Sequence, residues 1–135
     1  MVSDKKLDNS EVAQTILLDY SKAFDTINHD ILLSKLEHYK FNSQSAQLLK
    51  SYLSNRKQFV KISAISSECH KISIGVPQGS VLGPLLFLIF INDLILTSEN
   101  FNFVLFADDT NLISKDPKIT TSEMEKIHDW CMSNR

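Results

Sequence analysis

Glycine and proline are scarce in this chain, with three of each among 135 residues. That excludes collagen-like, linker-rich and low-complexity architectures, and leaves regular elements joined by a few special turns. Cysteine is scarcer. Cys69 and Cys131 form no CxxC pair and nothing suggests secretion, so reduced intracellular thiols are expected, in nucleus or cytoplasm. Neither sign of charge is in excess: 14 Lys and Arg against 16 Asp and Glu give a formal net charge of -2. This is neither the profile of a basic nucleic-acid binder nor that of an acidic tail. The opening MVSDKKLDNSEV lacks the apolar run of a signal peptide. The most apolar stretch, VLGPLLFLIFINDLIL (Val81 to Leu96), is interrupted by Pro84, Asn92 and Asp93. It falls short of the ~20 apolar residues a membrane span needs, so no membrane association is expected.

What the chain does have is 43% hydrophobic residues, enough for a real core. AQTILLD (Ala13 to Asp19) reads as a buried strand closed by a carboxylate. HDILLSKLEHY has helical spacing with Asn28 as its N-cap, and SAQLLKSYLSN predicts a second helix. KQFVKISA and HKISIGV read as strands. After GVPQGS, the apolar run Val81 to Leu96 reads as one buried helix, with Pro84 tolerated in its first turn. The strand NFVLFA, an Asp pair and TNLIS follow. Thr120 and Glu123 form a capping box for a last helix, with Met124, Ile127 and Cys131 on one face. Local strand pairing with helices in blocks predicts an α+β fold with a mainly antiparallel sheet.

FVLFADDTNLI (Phe103 to Ile113) raises a chemical question, because an apolar strand normally keeps unpaired carboxylates out. A hairpin with Asp108 and Asp109 at its tip resolves it by burying the strands and leaving the acids at the exposed end. Asp19 closes another apolar strand, so a third carboxylate can reach the same sheet end. Three carboxylates repel one another unless a cation neutralises them. Oxygen ligands of this kind favour Mg²⁺, and such a cluster suits two-metal phosphoryl or nucleotidyl transfer. An Asp pair by itself is more often a solvated turn.

The company that pair keeps is more specific. LLDYSKAFDTINHDIL (Leu17 to Leu32), GVPQGSVLGPLLFLIFINDL (Gly75 to Leu94) and FADDT (Phe106 to Thr110) follow in order. Together they resemble motifs A, B and C of reverse transcriptases, in the form found in non-LTR (LINE-type) retrotransposons of the jockey-like kind. The likeness runs from about Ile16 to Trp130, nearly the whole chain. It implies a polymerase palm, a small antiparallel sheet packed against helices, and RNA-directed DNA synthesis by two-metal nucleotidyl transfer. Asp19, Asp108 and Asp109 are then the catalytic, metal-binding aspartates, Asp108 the more indispensable of the pair and Asp109 more peripheral. Two Mg²⁺ ions are implied, with Mn²⁺ able to substitute.

The same likeness makes Phe24 the aromatic steric gate that excludes a 2′-hydroxyl. It places the Lys22 and Ala23 amides on the triphosphate, and Gln78 and Gly79 against the nascent base pair. The implied partners are an RNA template, a DNA primer and deoxynucleoside triphosphates; no protein partner is implied. Asp25, Asp30 and Asp93 read as caps or structural contacts. The four histidines lack metal-ligand spacing, and SNRK (Ser54 to Lys57) reads as a solvated loop.

Residues 1–135 are expected to be a partial reverse transcriptase domain carrying motifs A to C, with most of the fingers and the thumb outside it. The isolated chain is accordingly expected to be inactive. The alternative is a non-catalytic remnant or domesticated binding module of a mobile element. An RNA-dependent RNA polymerase fits less well, given Phe24 and Ala107, and a group II intron maturase matches GVPQGSVLGPLLF less closely.

Overall fold

The computed structural model describes residues 14–114 and 121–135. Along the chain come β1 (Gln14–Asp19), α1 (His29–His38) and α2 (Ser43–Leu53), then four two-residue strands. These are β2 (Lys57–Gln58), β3 (Lys61–Ile62), β4 (Ile65–Ser66) and β5 (His70–Lys71). They are followed by α3 (Leu82–Ile91), a 3₁₀ segment (Asn92–Thr97), β6 (Asn102–Phe106), β7 (Asp109–Ser114) and α4 (Thr121–Ser133). The α+β expectation holds. The described residues form two compact units, one from residues 14–21, 93–114 and 121–133, the other from 22–92 and 134–135.

The first unit is built on a three-stranded antiparallel sheet in the order β1-β7-β6. Alternation along the strands sorts side chains between two faces. Thr110, Leu112 and Ser114 of β7 are buried, and their neighbours Ile16, Leu18, Phe103 and Leu105 are half-buried. The opposite face carries Leu17, 78% exposed, and Phe106, 76% exposed. β1 is therefore an edge strand with one covered face, not the fully buried strand expected from its apolar run. A sheet this small has no second layer to cover both faces.

α4 turns Ile127 inward with Met124 and Cys131 half-buried, as the spacing predicts. Trp130 Nε1 donates to Asp93 Oδ1 at 3.1 Å, giving Asp93 the structural role expected of it. The Ser98 hydroxyl donates to Glu123, whose other oxygen pairs with Lys126 at 2.6 Å. The Thr120 half of the expected capping box lies outside the described residues.

The second unit holds three helices around Ile27, Leu32, Leu36, Leu53, Leu86 and Phe90. Asn28 caps α1 as expected, accepting from the amides of Asp30 at 3.0 Å and Ile31 at 3.3 Å. Asn42 caps α2 the same way, accepting from Ser45 N at 2.7 Å. α3 begins at Leu82 with Pro84 in its first turn, as expected. It ends at Ile91 rather than running on to Leu96, and the chain tightens into 3₁₀ geometry. Lys35 Nζ donates to the Phe90 carbonyl at 2.7 Å and lies 4.6 Å from the Phe90 ring centroid. It thereby places a cation at the C-terminal end of α3, where basic side chains interact favourably with helix carbonyls.

The strands expected over KQFVKISA and HKISIGV shrink to two-residue ladders, β2 with β5 and β3 with β4. Residues 57–71 are exposed throughout. A two-stranded pairing with no covered face is marginal in water, so little of it forms.

Candidate active site

The β1–β7 register runs from Gln14 opposite Ser114 to Asp19 opposite Asp109. The last pair on the ladder is thus two carboxylates on one face of the sheet. Phe106 is the partner of Asp109 on its other side. Opposed side chains of this kind stand about 5 Å apart at Cβ, and like charges there destabilise the pairing. All three aspartates are exposed.

Asp108 occupies the β6–β7 turn, which has only Ala107 and Asp108 as central residues. Ala107 takes a positive φ of 51° and Asp108 does not. Positive φ at the first central position alone marks a II′-type hairpin turn, where glycine is the usual occupant. Alanine there costs roughly 1 kcal/mol, strain of the sort that collects at functional sites. The tight turn holds both acids of the pair at the sheet end, Asp109 in register with Asp19 and Asp108 one residue away. Among the described residues, no three His, Cys, Asp or Glu side chains close into a ready-made metal cage. The donor set that is present still suits a hard cation, because Mg²⁺ is usually held by one or two carboxylates together with phosphate oxygens.

Tyr20 follows Asp19 and turns its hydroxyl inward. Tyr20 Oη and Thr110 Oγ1 are buried without a well-formed hydrogen bond. Burial above all, and then the nearby Cys131 thiol, push the Tyr20 hydroxyl up to about 12, while the Thr110 hydroxyl pulls the other way. The unfolded chain releases this proton near pH 10 and the folded chain holds it to about 12. Between those values the native state binds more protons, so stability falls as pH rises. Tyr20→Phe is expected to remove a phenolate step near pH 12 from an ultraviolet titration and to flatten the loss of stability over that window. It should leave neutral-pH stability unchanged or higher, since an unsatisfied hydroxyl is removed.

The residues expected to handle the nucleotide lie in the second unit. Lys22 opens a turn at φ 57°, and its carbonyl accepts from Asp25 N at 2.8 Å and Thr26 N at 3.2 Å. The amides of Lys22 and Ala23 make no hydrogen bond among the described residues. Phe24 is half-buried, its ring centroid 4.8 Å from that of Phe87. The segment ahead of the motif B turn clamps this one by two backbone bonds, Gly75 N to Ile27 O at 2.7 Å and Val76 N to Phe24 O at 2.8 Å. His29 Nε2 lies 2.7 Å from the Gly75 carbonyl. Gln78 Nε2 donates to Asp25 Oδ1 at 3.0 Å, the structural contact expected of Asp25.

The two glycines of this segment differ in what they do. A Cβ on Gly75 would stand 2.6 Å from the Asp25 carbonyl oxygen, with φ at +81°. Gly75→Ala is therefore expected to destabilise the chain by about 2–4 kcal/mol, through overpacking and left-handed strain together; thermal unfolding reads this. Gly79 also has positive φ, +78°, but open space around it, so its alanine variant should cost only about 1 kcal/mol. Ser80 was not singled out by its sequence. Its hydroxyl donates to Pro77 O at 2.7 Å and accepts from Gly83 N at 3.0 Å, tying the motif B turn to the start of α3.

In an α+β chain, a small antiparallel sheet ending in opposed aspartates at a tight hairpin defines the palm class of nucleotidyl-transferring polymerases. The profile described as reverse transcriptase (RNA-dependent DNA polymerase) matches residues 3–135. The chain belongs to the reverse transcriptase family. It is 33% identical over 132 residues to the RNA-directed DNA polymerase from mobile element jockey of Drosophila melanogaster, covering 91% of this chain and 14% of that protein. Two probable RNA-directed DNA polymerases of the same fly are also similar. They are those of transposon X-element, 42% identical over 88 residues, and of transposon BS, 40% over 87; each match covers 64% of this chain and 10% of the relative. The chain thus spans a small part of the length of these curated relatives. No helix among the described residues is long and apolar enough to cross a membrane.

Proposed function

We propose that this chain is the catalytic heart of an RNA-directed DNA polymerase, extending a DNA primer on an RNA template with deoxynucleoside triphosphates. The observation that carries the reading is the register pairing Asp19 with Asp109 at the hairpin tip, with Asp108 on the turn beside them. Asp19, Asp108 and Asp109 would hold two divalent ions, Mg²⁺ with Mn²⁺ as substitute. Bound there, such ions supply activation of the primer 3′-hydroxyl and neutralise charge on the departing pyrophosphate.

The remaining work is positioning. The backbone amides of Lys22 and Ala23 are suited to triphosphate oxygens. The Phe24 ring, backed by Phe87, fills the space a 2′-hydroxyl would need. Gln78 and the open surface over Gly79 lie against the new base pair. The test is primer extension on an RNA template by a full-length polymerase carrying this segment. Extension should vanish with chelator and return with Mg²⁺ or Mn²⁺; extension that survives chelation overturns the metal assignment.

A further inference from the structure

We propose that Tyr20 and Thr110 are positioning residues for the polymerase reaction, acting from the covered face of the sheet to fix the spacing of Asp19 and Asp109. This deepens the polymerase reading and rests on it. Each stands one position after a ladder aspartate, Tyr20 after Asp19 and Thr110 after Asp109. Successive strand residues point to opposite faces, so Asp109 takes the open face and Thr110 the covered one. Thr110 is 1% exposed, and Tyr20 turns its hydroxyl inward beside it.

Two details separate this pair from ordinary packing. Tyr20 Oη and Thr110 Oγ1 are both buried, and neither makes a well-formed hydrogen bond. A buried hydroxyl without a partner costs free energy. Phenylalanine and valine would fill the same places at lower cost, so stability alone does not account for two hydroxyls side by side. They act on each other, and the Cys131 thiol of α4 also reaches the Tyr20 hydroxyl. Second, the ladder ends on a like-charge pair. Asp19 and Asp109 repel across the last rung, which favours fraying at that end. Directional contacts between hydroxyls on the other face of the same end restrict how the two strands move apart, because polar groups that satisfy one another rigidify their surroundings. Phosphoryl transfer tolerates little misplacement: a shift of about 1 Å can cost on the order of a hundredfold in rate.

The experiment compares two variants with the wild type. Tyr20→Phe combined with Thr110→Val removes both hydroxyls and nearly keeps the bulk; Thr110→Ser keeps the hydroxyl and loses a buried methyl. Thermal unfolding and amide hydrogen exchange are read first, on the metal-free 135-residue chain. The double variant should keep or raise the thermal midpoint, since both unsatisfied groups are gone. Its exchange at Leu18, Asp19, Asp109 and Thr110 should nevertheless speed up several-fold relative to Ile16 and Leu112, because the ladder end opens locally. Thr110→Ser should lower the midpoint and leave that ratio as in the wild type. In a full-length polymerase carrying this segment, the double variant should lower kcat by about ten- to a hundredfold with KM for the triphosphate little changed. Thr110→Ser should retain most of the rate. A purely structural role ranks stability and rate in the same order, whereas a positioning role ranks them in opposite orders. Wild-type exchange or wild-type kcat in the double variant overturns the proposal, as does a kcat that falls in step with the midpoint in both variants. A wild-type polymerase that extends, and is silenced by chelator, upholds the polymerase reading whatever these two residues do.

Discussion

Asp108→Asn, in a full-length polymerase carrying this segment, is expected to lower Mg²⁺-dependent primer extension by about a hundredfold or more. A metal ligand at a phosphoryl-transfer centre carries several kcal/mol of transition-state stabilisation, and each 1.36 kcal/mol is about tenfold in rate. The substitution removes charge while nearly keeping volume, on an exposed two-residue turn, so packing offers no other route to such a loss. Asp19→Asn adds a signature of opposite sign. It should abolish extension equally, yet raise the stability of the isolated chain by a few tenths of a kcal/mol, because the like-charge pair with Asp109 is relieved. Near-wild-type extension by either variant would remove the aspartates from the mechanism.

Phe24→Val should change which sugar is accepted, more than it changes how fast. The ratio of ribonucleotide to deoxynucleotide incorporation is expected to rise about ten- to a hundredfold, the range a steric pocket commands when its volume changes by a few carbons. Some packing on Phe87 is lost as well. Because Phe24 is half-buried, the loss should fall below the roughly 3–5 kcal/mol of a fully buried ring removed to alanine. The absolute rate mixes both effects and the ratio does not, so single-nucleotide incorporation with matched ribo- and deoxy- substrates is the measurement. A ratio that stays put would leave Phe24 as a core residue alone.

Local features were legible from the residues themselves. The Asn28 cap, the early Pro84, the apolar face of the last helix and the exposed Asp pair between apolar strands each depend on neighbours within a turn or two of chain. Short-range sterics and hydrogen bonding settle such features before any tertiary contact forms. The three ordered motifs extended that reach to the family, and with it to the roles implied for Asp19, Asp108, Asp109 and Phe24.

What remained was decided by partners far away in the chain. Periodicity says that a strand has an apolar face, but not which strand lies beside it or in what register. That Asp109, rather than its neighbour, stands opposite Asp19 follows only from the β1–β7 pairing across some ninety residues. The apolar run from Val81 shows Asn92 and Asp93 as its interruption, but not that Lys35, which donates to the Phe90 carbonyl near that helix end, reaches it from α1. Gly75 reads as an ordinary turn glycine until the Asp25 backbone fills the space its Cβ would need. Lys57 and Lys71 read as two solvated charges until the ladder sets them face to face. Their Coulomb repulsion depends on that distance, and distance between remote residues is a property of the fold.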